Sequence, residues 1–202
     1  MDVTVRPALA SDIPTMAKVL GVAFSDDPVF TWLIPDDKTR PRRAAFMFEA
    51  FIRYQFFAHG GADVALDDNG VLVGAAVWAP PGKWNSGGAA TLRVFPALAR
   101  ALRLRLAQAG RMADAMAAHH PKEPHWYLAF IGTLPSARGR GFGQALLNSR
   151  LDRCDAEGAP AYLESSKPDN VPYYERFGFE KTEELDVTDG GPLMWPMWRT
   201  PR

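Results

Sequence analysis

The chain has 202 residues, 47% of them hydrophobic, enough for a single domain over residues 1–202 with a continuous core. Its 23 lysines and arginines balance 23 aspartates and glutamates, so the formal charge is zero and the basic excess of a nucleic-acid or membrane-surface protein is missing. One cysteine, Cys154, leaves no internal disulfide, and without an apolar leader or a run of about 18 apolar residues the expected location is the cytoplasm.

Val3 to Arg6 reads as a first strand. Ile13, Met16, Ala17, Leu20 and Phe24 then fall on one helical face behind a cap at Ser11 or Asp12. Asp26, Asp27 and Pro28 form a turn and helix-start sequence. A second helix, from about Pro41 to Phe57, carries Phe46, Phe48, Phe51, Tyr54, Phe56 and Phe57 all around its circumference. One face is core; the surplus lines a pocket or the contact of a homodimer. Val64 to Leu66 and Val71 to Trp78 make a hairpin around Asp68, Asn69 and Gly70. Trp84, beside the Pro80–Pro81 turn, caps a cleft or covers a loop.

Thr91 to His119 is helical in one or two pieces, with Pro96 as the expected interruption. Arg100, Arg103, Arg105 and Arg111 give it a basic face, solvated or paired with acids elsewhere. His119, His120 and His125 flank a Pro-Lys-Glu-Pro segment without zinc-helix spacing, which reads as a loop of surface histidines and predicts no metal site. A Gly-x-Ser-x-Gly hydrolase elbow is also lacking. Cys154 falls on the helix that begins after Gly143, as a packed or half-exposed residue rather than a nucleophile. Two tail strands follow, near Lys181–Val187 and Leu193–Trp198. The order implies an α/β (α+β) architecture, with helices on both faces of a mixed sheet.

The most informative stretch is Trp126 to Gly143, WYLAFIGTLPSARGRGFG. An apolar strand ends at Pro135, and a glycine-arginine turn leads into the next helix. Glycines let backbone approach a ligand, the first N–H groups of a helix point outward as donors, and Arg138 and Arg140 supply positive charge, so the turn suits a pyrophosphate. Gly139, Gly141 and Gly143 miss the dinucleotide spacing because Gln144 stands where the last glycine belongs, and no Lys-Ser or Lys-Thr completes a Walker loop. Some thirty residues on, AYLESSKPDNVPYYERFGF gives a short strand, a polar turn and a short helix with Asn170 at the N-cap position, Pro172 in the first turn and Gly178 as the stop.

Arg-x-x-Gly-x-Gly at Arg138, Gly141 and Gly143, followed by Asn170, Tyr174, Glu175, Gly178 and Phe179, resembles the GNAT superfamily of N-acetyltransferases. TVRPALASDIP, AAVWAPP, PKEPHWYLA and YLESSKPDNVPYYERFGF are similar to the puromycin N-acetyltransferase group, over about Val3 to Trp198 and most weakly through residues 82–118. The resemblance implies the GNAT fold, a mixed, mostly antiparallel central sheet of about seven strands with helices on both faces. It implies acetyl-CoA as acyl donor, cradled by Arg138, Gly139, Arg140, Gly141, Phe142, Gly143, Gln144 and Asn170. In that family the central strand, here Ile131, Gly132, Thr133 and Leu134, pairs with the pantetheine arm.

Acetyl transfer needs an unprotonated amine, a stabilised oxyanion and a proton for the departing thiolate. By the same resemblance Tyr174 lies near the thioester sulfur, and a phenol's ordinary pKa near 10 suits that donor. Tyr174 packing the short helix to the sheet is the structural alternative. Backbone N–H groups near Thr133 and Leu134, the last before Pro135, are the oxyanion donors. Glu164, on the strand that the family splays from the central one, is the candidate base, directly or through water, with a structural bond to a neighbouring loop as the alternative. Asp27, Phe30, Trp32, Tyr54 and Trp84 are candidates to receive a cationic amine. The function expected is direct transfer to the primary amine of a small molecule such as a puromycin-like antibiotic. The alternatives are a protein or peptide N-acetyltransferase and a non-catalytic acyl-CoA-binding protein.

Overall fold

Alternating apolar residues build one mixed sheet in the computed structural model, which describes residues 3–85, 87–187 and 190–202. Strands β1 (Thr4–Pro7), β2 (Ala62–Leu66), β3 (Leu72–Ala79) and β4 (Trp126–Thr133) pair antiparallel in that order. Strand β5 (Ala161–Ser165) joins β4 in parallel, and two short strands, β6 (Glu180–Lys181) and β7 (Leu185–Asp186), pair with the last strand, β8 (Leu193–Arg199), which runs antiparallel to β5. Among the described residues the sheet has eight strands, in keeping with the expected mixed sheet of about seven, the segment near Lys181–Val187 being divided in two. The β2–β3 turn forms where expected: Asp67 accepts hydrogen bonds from the Asn69 and Val71 amides, and Gly70 takes φ 75°.

Helices α1 (Ile13–Ala23) and α3 (Arg40–Phe51) cover one face of the sheet, with α2 (Pro28–Leu33) between them in sequence. Helix α3 continues through a π-helical turn at Ile52–Phe56 and a 3-10 turn at Phe57–His59. Its surplus of aromatics has a packing reason. Phe48 and Phe56 are buried and meet Phe130 of β4 edge-on, while helix α4 (Gly88–Leu102) packs on α3 and lays Arg100 over the Phe46 ring at 4.2 Å. Tyr54 alone of the set is exposed. Helices α6 (Phe142–Ala156) and α7 (Val171–Glu175) contribute to the second core, on the opposite face. Cys154 lies in it, fully buried, with its thiol pushed up to about 12 by desolvation.

One helix boundary and one helix cap differ from those read in the sequence. Pro96 stays inside α4, and the break comes at Arg103, which takes φ 54° before α5 (Leu106–His119) begins. Arg43 of α3 donates from Nε to the Ala101 carbonyl at 2.7 Å, satisfying one of the acceptors left over at the end of α4. Asp12 does occupy the position before α1, but its carboxylate takes hydrogen bonds from Arg6 and the Leu9 amide instead of capping the helix.

Arg40 is buried and donates to the carbonyls of Ser25, Ile34 and Pro35, holding the chain on either side of α2 in place. Arg150 of α6 donates to Asp63 of β2 at 2.7 Å and to the Gly60 carbonyl, with its guanidinium 4.7 Å from the Trp126 ring centre. Both side chains of the Arg150–Asp63 pair are about 5% exposed, so neither charge has water to fall back on. Asp63→Ala is expected to cost about 3–5 kcal/mol by leaving Arg150 unpaired. In urea unfolding, Asp63→Leu combined with Arg150→Met should cost much less than the sum of the two single changes.

Candidate active site

Strands β4 and β5 are paired only at Trp126↔Ala161 and Tyr127↔Tyr162. Beyond those two pairs they diverge, and a cleft of about 600 Å³ opens between them. A bulge in β4 adds to the divergence: Val77 faces Phe130 and Trp78 faces Leu128, so Ala129 is an extra residue. On the other side β5 is held by β8 over all five of its residues, from Ala161↔Arg199 to Ser165↔Trp195.

The backbone of β4 alternates across its two edges. The Leu134 amide donates to the Val73 carbonyl at 2.8 Å, so it is not the free oxyanion donor expected from its place before Pro135. The same alternation turns the amides of Ile131 and Thr133 away from β3, toward the cleft. Gly132 allows the end of α1 to come close, since a Cβ there would sit 2.7 Å from Ala23 Cβ.

The floor continues through the turn Pro135–Gly141. Gly141 takes φ 86° at the N-cap of α6, where the first amides of the helix have no partners within it. Gly139, Gly141, Phe142, Gly143 and Gln144 line the cleft, with Ile131, Gly132, Thr133 and Arg138; Leu134 and Arg140 do not. Gly143 faces Tyr173, whose hydroxyl lies 3.2 Å from where a Cβ would be. At the rim, Arg138 reaches the Ala23 carbonyl and lies 3.9 Å from Asp26, which also binds Lys167 at 2.9 Å.

Asn170, Tyr174 and Glu164 line the same cleft. Asn170 stands at the N-cap position of α7, but its side chain makes no capping hydrogen bond. The Tyr174 ring is buried, packs edge-on to Phe179, and its hydroxyl has no hydrogen-bond partner among the described residues. Burial, with lesser contributions from Tyr173 and Asp27, raises its pKa and keeps it a neutral phenol.

The residues proposed for the acceptor separate. Asp27 lines the cleft with a committed carboxylate: it caps α2 through the Val29 and Phe30 amides and accepts from Ser166. Phe30 stacks on Phe48 in the core at 5.1 Å, Trp32 packs half-buried against that core, and Tyr54 is exposed; none of the three lines the cleft. Trp84 stacks on the His120 ring at 3.9 Å.

The histidines are not a surface loop. His119 is exposed, but His120 and His125 are buried, because Trp84 covers one and Trp198 of β8 packs against the other. His125 Nδ1 is 2.6 Å from the Glu123 carbonyl, and its Nε2 is 3.1 Å from His120 Nε2. His120 Nδ1 is 3.8 Å from Glu164 Oε1, and both side chains are almost fully enclosed. Tyr127 and Tyr162 close this cluster. Burial and then the charge of Glu164 raise both phenols, and the Tyr162 hydroxyl, lacking a partner at hydrogen-bond distance, feels that charge through space. The sequence held one usable signal: Tyr162 and Glu164 are two apart on one strand and share a face. Among the described residues no group of three or more His, Cys, Asp or Glu is placed to hold a metal, and no helix is long and apolar enough to cross a membrane.

Comparison with known proteins agrees with this geometry. The profile of the Acetyltransferase (GNAT) family matches residues 27–179. An uncharacterized N-acetyltransferase of Schizosaccharomyces pombe is 30% identical over 194 residues, 89% of this chain and 75% of the relative. A crystal structure from Corynebacterium glutamicum, described as histone acetyltransferase HPA2 and related acetyltransferase, superposes with TM-score 0.78 at 33% identity, covering 100% of this chain and 98% of that one. A phosphinothricin acetyltransferase of Sinorhizobium meliloti in complex with acetyl-CoA shares the fold at TM-score 0.61 and 20% identity, covering 100% and 89% of the two chains.

Removing the Asp27 cap with Asp27→Ala is expected to cost about 2 kcal/mol in urea unfolding, whereas Asp27→Asn keeps an acceptor for α2 and costs less. Desolvation pushes the Asp27 carboxyl above its ordinary value, so the folded protein holds that proton to higher pH than the unfolded chain and loses stability as pH rises through the interval. Asp27→Asn should therefore show a smaller loss of stability than the parent as pH is raised from about 4.

Proposed function

The chain belongs to the GNAT acetyltransferase family and is an acetyl-CoA-dependent acetyltransferase acting on an amine, and from that premise we propose that it acetylates a primary amine of a small molecule by direct transfer in a ternary complex. The supporting observation is the cleft itself, where β4 and β5 separate after two residue pairs with Glu164 and Tyr174 on its walls. The resemblance to puromycin N-acetyltransferases makes a puromycin-like aminonucleoside the first acceptor to try. A peptide amine is the second reading, favoured by the histone acetyltransferase description of the structure that is 33% identical.

Acetyl-CoA supplies the activated acetyl group. In the proposed arrangement the cleft-facing backbone of Ile131 and Thr133 takes the place of a neighbouring strand for the pantetheine arm, and the α6 amides with Arg138 hold the pyrophosphate. The Thr133 amide replaces Leu134 as the oxyanion donor. Glu164 takes a proton from the acceptor ammonium so that the amine can attack, and the second proton leaves the attacking nitrogen for water as the C–N bond forms and the C–S bond breaks. Tyr174, neutral because it is buried, gives its proton to the departing thiolate and recovers one from solvent when the products leave. No side-chain nucleophile is used: the thiol of Cys154 is enclosed and held in its protonated form.

Release of free CoA from acetyl-CoA across puromycin, polyamines, aminoglycosides and peptide N-termini tests the acceptor class, and turnover confined to peptides would overturn the small-molecule reading. Tyr174→Phe should lower kcat by about 100-fold while acetyl-CoA affinity by calorimetry stays within about twofold. An unchanged kcat would remove Tyr174 from the reaction.

A further inference from the structure

We propose that His120 is the positioning residue that receives the proton Glu164 takes from the acceptor amine, in a tautomer fixed by His125. The inference rests on the reading of Glu164 as the base and deepens it. The assignment follows from hydrogen-bond direction. A carbonyl only accepts, so His125 Nδ1, 2.6 Å from the Glu123 oxygen, carries a hydrogen. Burial lowers the pKa of His125, so the ring is neutral and its Nε2 is a lone pair. His120 Nε2, 3.1 Å away, must then be the donor of that contact. In neutral His120 the remaining nitrogen, Nδ1, is a lone pair, and it is the atom that faces Glu164 Oε1.

The two atoms stand 3.8 Å apart, beyond hydrogen-bond reach, as two acceptors facing each other would. A proton arriving on Glu164 changes that relation at once, because the carboxylic acid is a donor and Nδ1 is its acceptor. The acceptor's N–H bond breaks as the Glu164 O–H bond forms. That O–H bond then breaks as the His120 Nδ1–H bond forms, leaving an imidazolium beside a carboxylate, and when the products leave His120 returns the proton to Glu164, which lines the cleft and passes it to solvent. The surroundings fit this single exchange. Trp84 stacks on His120 and fixes its plane, and Tyr127 and Tyr162 meet it edge-on. The titratable groups around the ring are His125, Tyr127, Tyr162 and Glu164; the two phenols are raised and stay neutral, with Glu123 and Glu183 acting more weakly on His125 and Tyr162.

The test has two arms. Nitrogen-15 chemical shifts of the labelled wild-type protein at pH 8 should show His120 protonated at Nε2 and bare at Nδ1; the opposite tautomer overturns the proposal without reference to any substrate. With acetyl-CoA and the fastest amine of the panel, His120→Asn should lose about 10-fold or more in kcat/KM for the amine, and its acid limb should move by about one pH unit or more, with KM for acetyl-CoA within about twofold. His125→Phe keeps a ring against Tyr162 and Trp198 while releasing the tautomer, and should show a smaller shift of the same limb. An equal loss at every pH with the limb unmoved, in both variants, overturns the relay. Impaired Glu164→Gln beside a normal His120→Asn overturns the relay and leaves the base in place. A fully active Glu164→Gln overturns both.

Discussion

Two residue pairs decide the use of this fold. β4 and β5 are hydrogen-bonded at Trp126↔Ala161 and Tyr127↔Tyr162 and then part, so each strand carries on with one edge unpaired inside the protein. Unpaired backbone in an enclosed place costs about 1–3 kcal/mol per group unless something answers it. The divergence is imposed from both sides, by the extra residue at Ala129 and by the unbroken β5–β8 ladder. The features of the cleft follow from it: amides facing a gap, a helix beginning at its floor, and Glu164 and Tyr174 among its lining residues.

Buried arginines keep those walls still. Arg40 holds the segment around α2, Arg43 closes the end of α4, Arg150 ties α6 to β2, and Arg199 grips Asp155 with both ends of its guanidinium while reaching the Phe177 carbonyl. Arg40, Arg150 and Arg199 each answer two or more carbonyl or carboxylate oxygens with one planar fork, and Arg43 answers the Ala101 carbonyl alone. Zero net charge at the level of the whole chain is thus compatible with strong local fields in the interior.

The fold and the glycine-arginine turn that lines the cleft were legible because they depend on local chemistry. Asp67 to Gly70 can hardly do other than turn, and Gly139 and Gly141, between a strand and a helix, take the positive φ that other residues rarely adopt. Long-range pairing was not legible. Arg103 ends a helix that Pro96 was expected to interrupt, and Arg43, 58 residues before Ala101 in the chain, meets the Ala101 carbonyl there. His120 and His125 look like loop residues in a polar segment, and only the arrival of Trp84 and Trp198 from distant strands and loops buries them beside Glu164. The Leu134 amide looked free because the sequence shows where a strand ends but not what its neighbour, Val73, still accepts.

Cys154 gives the protein a form of chemical self-restraint. A thioester exchanges readily with any accessible thiolate, and an exposed cysteine near the cleft would compete with the amine and leave the protein acylated on itself. The chain has one cysteine, and it is sealed in the core on the buried face of α6, its thiol pushed up to about 12 by desolvation. Transthioesterification is thereby closed off, and the acetyl group is kept for the acceptor.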